Sequence, residues 1–165
     1  MFKRLSQLAI VCFALSVTSF DTRPDAFTLD VDANGKTEPL TDGLLIIRHL
    51  FGFEGDTLTT SAIGSGATRS DPQQIKNFLS TYSTQLDIDE DGEVGPLTDG
   101  LLIIRSLFGF TGEALIRDAV SDIGLRNSAS AIEIYLQSIT DTDGDGVADG
   151  SDAFPLDAAE SVDTD

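Results

Sequence analysis

Cysteine, histidine and methionine occur once each in the 165 residues, and tryptophan not at all. The single thiol, Cys12, lies in an apolar stretch at the N-terminus that reads as a leader. The rest of the chain therefore has no disulfide and no thiolate ligand or nucleophile. His49 is the lone imidazole, too little for a histidine-built zinc site or a nucleophile–base pair, so the chain is read as non-enzymatic. Positive charge is also scarce. Ten Lys and Arg face 28 Asp and Glu, a net charge of −18. Nucleic acid and anionic membrane surfaces are excluded as partners, because both would be repelled. Long apolar runs are missing too: the best one, residues 8–17, is interrupted by Ser16 and falls short of the ~20 residues a spanning helix needs. Yet 41% of the residues are hydrophobic, too many for a disordered acidic chain. The acids call for a local explanation.

Residues 1–19 have the form of a signal peptide. Lys3 and Arg4 precede the apolar run, and Val17 and Ser19 supply small residues at −3 and −1 of a cleavage site. An uncleaved anchor is the competing reading. Cleavage would give a secreted or cell-surface protein (or a periplasmic one), with no membrane insertion afterwards. Losing Lys3 and Arg4 would take the charge from −18 to −20. Residues 20–28 read as a linker.

What the chain has in place of these residues is a repeat. Residues 29–82 align with 86–139 at a constant offset of 57 without a gap. PLTDGLLIIRHLFGF in the first copy becomes PLTDGLLIIRSLFGF in the second, differing only at His49 and Ser106. Each copy, 29–85 and 86–140, reads as an acidic loop, an apolar helix (about 43–51 and 100–108), a connector and a second helix. Thr41 or Asp42 is placed to cap the first helix and Gly52 to end it. Asp71-Pro72 opens the second helix, with Ile75, Phe78, Leu79 and Tyr82 at i, i+3, i+4 and i+7; Ile132, Tyr135, Leu136 and Ile139 repeat the stripe. The expected fold is mainly α, two loop–helix units packed about a pseudo-twofold axis.

Three stretches alternate acidic or amide side chains and then place a glycine: Asp30-x-Asp32-x-Asn34-Gly35, Asp87-x-Asp89-x-Asp91-Gly92 and Asp141-x-Asp143-x-Asp145-Gly146. Ca²⁺ takes six to eight oxygens, and such a loop offers positions 1, 3 and 5 as side chains and position 7 as a carbonyl. Glycine at position 6 permits the sharp turn. Position 7 is Lys36, Glu93 and Val147. In the third loop Asp149 and Asp152 fall at positions 9 and 12, where the standard frame places its last ligands. In the first two the acid comes one residue late, at Asp42 and Asp99. These two are either ligands of an expanded loop or helix caps, and one residue could do both. Loop two has one more carboxylate, Asp91 for Asn34, so the first site is expected to bind more weakly. Turn formation alone is the bland reading of any one Asp-Gly.

Two such loops, each leading into an apolar helix, resemble a dockerin domain across residues 29–140. The resemblance implies an EF-hand-like fold held by calcium. It also implies a cohesin-like or other surface partner, as in modules of secreted polysaccharide-degrading enzymes. The 57-residue period is longer than usual for dockerins, and Pro39-Leu40 and Pro96-Leu97 stand where small hydroxyl residues often make the cohesin contact. Residues 141–165 resemble a thrombospondin type 3 repeat, with Asp163-Thr164-Asp165 restarting the pattern. This implies an acidic calcium-binding segment cut within its second repeat, and it supports an alternative role as an adhesin or spacer.

Overall fold

The computed structural model describes residues 27–160; the leader at 1–19 and the restart at 161–165 lie outside them. The described residues are mainly helical, with no strand among them. Helices α1 (Asp42–Leu50), α2 (Asp56–Thr59) and α3 (Pro72–Thr81) form the first half. A 3₁₀ turn, Ser83–Leu86, leads to α4 (Asp99–Leu107), α5 (Glu113–Ile116) and α6 (Ala129–Ile139). Each of α4 to α6 begins 57 residues after its counterpart. No helix among these residues is long and apolar enough to cross a membrane.

The core is built from the apolar positions of both halves. Leu45, Ile46, Leu58, Ile75 and Leu79 are fully buried, as are Leu102, Ile103, Leu115 and Ile132, with Leu136 almost so. Val31 and Ile88, at position 2 of the first two loops, are buried as well, which fastens each loop to the core. Helices α1 and α4 cross through two glycines. A Cβ on Gly43 would stand 3.2 Å from Leu107 Cδ1 and 3.3 Å from Ile104 Cγ1. A Cβ on Gly100 would stand 3.2 Å from Leu50 Cδ1 and 3.4 Å from Ile47 Cγ1. The contact is reciprocal, since each glycine meets the residues 57 positions from those that meet the other. The repeated LLIIR stretch is therefore largely spent on internal packing.

The connector contains an element that periodicity does not reveal. Gly55 and Gly112 turn the chain at φ +56° and +57°, and the four-residue α2 and α5 follow, each burying one leucine. Arg48 reaches across to donate to the carbonyls of Leu58 and Thr60 at 3.0 and 2.8 Å, and Arg105 does the same to Leu115 and Arg117. The arginine of the repeated run thus satisfies carbonyls left over at the end of a short helix. Helices α1 and α4 start and stop one residue earlier than the apolar pattern suggests.

Candidate metal centres

Three groups of carboxylates converge. Asp30, Asp32 and Asp42 each offer an oxygen within 4.8 Å of the others, as do Asp87, Asp89 and Asp99, and Asp141, Asp143 and Asp145. The displaced acids therefore fold back onto their loops. Asp42 is completely buried: its Oδ1 accepts from the N–H of Val31 at 2.7 Å, and its Oδ2 from Glu38 N–H at 2.9 Å and Thr41 Oγ1 at 3.0 Å. Asp99 repeats this with Ile88 N–H, Gly95 N–H and Thr98 Oγ1. Neither Thr41 nor Thr98 makes a side-chain cap, and the two aspartates bond loop amides rather than the first turns of their own helices. The helix-cap role considered for Thr41 and Asp42 is not what these side chains do.

The turn is made as the glycines require. Gly35, Gly92 and Gly146 take φ of +81°, +90° and +92°, conformations that favour glycine. Asp30 and Asp87 accept from the amides at loop positions 5 and 6. Asp141 accepts from Gly144 and Gly146. At position 5, Asn34, Asp91 and Asp145 each accept the N–H two residues on, from Lys36, Glu93 and Val147. These last three residues contribute only main chain at position 7. Asp91 and Glu93 stand outside the three-carboxylate groups, and so do Asp149 and Asp152. Asp149 holds Thr142 through its N–H at 2.8 Å and its Oγ1 at 2.7 Å, while Asp152 accepts from Phe154 N–H. The physical reason is local: turns follow the third loop, so no helix start holds its position 12 against the cluster.

Residues outside the loops complete them. Asp32 Oδ2 accepts from Gly64 N–H at 2.6 Å and Asp89 Oδ2 from Ser121 N–H at 2.7 Å, 57 residues apart. A Cβ on Gly64 would meet the Asn34 side-chain amide, which would have to swing aside; in the second half Ser121 stands at the same place, opposite Asp91. Arg126 donates to the carbonyls of Asp87 and Ile88 and stacks 3.9 Å from the Tyr135 ring centroid. Arg69 makes the equivalent contacts with Val31 O and the Phe78 ring. The sequence signal for the two arginines is their recurrence at the 57-residue offset; Gly64 reads from sequence only as part of a flexible connector, and Ser121 carries no signal.

Both arginines bind main-chain oxygen and leave the clustered carboxylates alone. The ion pairs among the described residues are Lys76–Glu54, Arg117–Glu113 and Arg126–Glu90, none of which involves a clustered aspartate. Burial pushes the carboxyls of Asp32, Asp89 and Asp141 above the ordinary range, and that of Asp42 up to about 6. Asp89 is fully buried with Oδ1 lacking any hydrogen-bond partner, and Asp143 Oδ2 and Asp152 Oδ2 are also unpartnered. Such orphan carboxylate oxygens are costly unless a cation meets them. Two ionised carboxylates at 4.8 Å repel by roughly 3 kcal/mol at an effective dielectric of about 20. Oxygen-only donor sets of this kind suit a hard divalent cation.

Comparison with family models, curated proteins and solved structures finds no match to this chain.

Proposed function

We propose that the chain is a secreted, non-catalytic calcium-binding module in which Ca²⁺ holds a dockerin- or EF-hand-like fold of two pseudo-twofold-related units. Asp89 Oδ1 carries this reading: an unpartnered oxygen of a fully buried side chain, beside the carboxylates of Asp87 and Asp99, in a residue that forms no ion pair. Flexible six- to eight-fold oxygen coordination favours calcium over magnesium, which demands octahedral geometry and keeps its waters. The metal would act structurally, since its binding free energy adds to the folded state. Calorimetric titration should show saturable calcium binding, and the melting temperature should fall by 10 °C or more in chelator. Superimposable melts in calcium and chelator, with no heat of binding, would refute the proposal.

Assembly with a surface protein is the second reading, either as a cohesin-like anchor or as an adhesin or spacer. It is favoured by exposed apolar residues recurring in both halves: Leu40, Phe51 and Phe53, with Leu97, Phe108 and Phe110. A calcium-dependent pull-down that fails with a Phe51→Ser/Phe108→Ser variant would support it; capture unchanged by those substitutions would remove it.

A further inference from the structure

A cavity of about 280 Å³ lies between the first loop, the C-terminal end of α4, α6 and the third loop. Its walls include Ser106, Phe110, Thr111, Glu133 and Asp149. The two halves of the molecule differ in kind at this place. Ser106 is the one departure in the shared 15-residue run, standing where the first half has His49. Thr111 replaces Glu54, and Glu133 replaces Lys76.

In the first half the position supplies its own cation. The Lys76 ammonium bonds the Glu54 carboxylate, and together with burial it holds His49 below its usual pKa. In the second half that cation is absent and a carboxylate takes its place. Glu133 keeps one oxygen on Gly112 N–H at 2.7 Å, and Asp149 faces the cavity from the third loop. Neither pairs with Lys or Arg among the described residues. The half-exposed Phe110 ring and Leu107 add an apolar wall, and Ser106 and Thr111 add hydroxyls. An anion would be repelled here, and an apolar ligand would leave the second Glu133 oxygen without a partner, whereas both Asp149 oxygens are held by Thr142. An alkyl ammonium fits both features, with its charge on Glu133 and its chain against the ring.

We propose that this cavity binds a primary ammonium on an alkyl chain, in the place that Lys76 fills in the first half. A free diamine and a lysine side chain of a partner protein share that chemistry. The test uses the full secreted chain with 1,5-diaminopentane, with acetyl-Gly-Lys-Gly-amide, and with the Gln tripeptide as the neutral control. Amide NMR shifts at Ser106, Phe110 and Thr111 should appear with either amine and not with the Gln peptide. Tighter binding of the lysine peptide identifies a partner's side chain as the source; tighter binding of the diamine identifies the free amine. The double variant Thr111→Glu/Glu133→Lys rebuilds the internal pair and should weaken binding at least tenfold, as should Glu133→Gln, with wild-type melting temperatures. Absence of shifts, or equal binding by the wild type and both variants, overturns the proposal. The inference does not rest on calcium, since Glu133 lies in no acidic loop and Asp149 stands outside the third three-carboxylate group. Amine binding in a chain that fails to bind calcium would sink the calcium reading and leave this one standing.

Discussion

Asp42 shows how the burial of one side chain can bias the pH response of a fold. It accepts several hydrogen bonds, yet burial dominates and the nearby Asp32 charge adds to it, raising its pKa from 3.8 to about 6. A carboxyl raised in the folded state favours the protonated fold. Its contribution is fully present below the unfolded value of 3.8 and is lost as pH rises through about 6. A shift of this size corresponds to on the order of 3 kcal/mol. In chelator the protein should therefore melt higher at pH 5 than at pH 7, opposite to the usual loss of stability in acid. Saturating calcium should invert the order, because cation and proton compete for the same carboxylates. Asp42→Asn should reduce the pH dependence in chelator, since an amide stays neutral, while the raised carboxyls of Asp32, Asp89 and Asp141 keep the rest. Thermal melts at the two pH values, with and without calcium, decide this; a higher melting temperature at pH 7 in chelator would contradict it.

At the level of elements, the sequence shows what is local and hides what is distant. Asp71-Pro72 reads as a cap and first turn, and Asp71 does accept from the N–H groups of Gln73 and Gln74 at 3.0 and 3.1 Å. The core stripes of α3 and α6 are likewise written at helical spacing. Helices α2 and α5 are too short to show any period. The Asp32–Gly64 and Asp89–Ser121 bonds join residues 32 positions apart, and no local rule pairs them. Gly43 looks like a poor helix former near a helix start; only the structure shows α4 pressing on it. Two effects then compete on substitution. Alanine gains up to ~1 kcal/mol of helix propensity and meets Leu107 at 3.2 Å, slightly too close. Gly43→Ala should therefore be nearly neutral. Gly43→Leu cannot be accommodated without moving α4, and should cost about 1–3 kcal/mol. Denaturant midpoints in calcium measure both, and a leucine variant as stable as the wild type would mean that the helices do not cross here.

Across the whole molecule, the third acidic loop is docked on the first. Leu29 N–H donates to Ile139 O at 2.8 Å, closing the two halves end to end. Thr37 Oγ1, nearly buried, donates to Asp141 O at 3.0 Å, and Gly144 lies so close to the Gly35 carbonyl that no side chain would fit. The second loop differs at this place: its counterpart of Thr37 is Val94, which has no hydroxyl to donate. The third loop, residues 141–150, is thus packed on the helical unit, and a cation ordering one loop would brace the other. Thr37→Val tests this with a residue the fold already accommodates at the equivalent place. It removes one buried donor and leaves Asp141 O without it, a loss of about 1 kcal/mol. The variant should melt lower in calcium, and in an Asp87→Ala background, where the second site is disabled, the remaining calcium affinity should fall severalfold. The same substitution in an Asp141→Ala background should leave the second site's affinity unchanged. If Thr37→Val weakens that site as well, its effect is a general loosening of the core and the coupling between the first and third loops is not real.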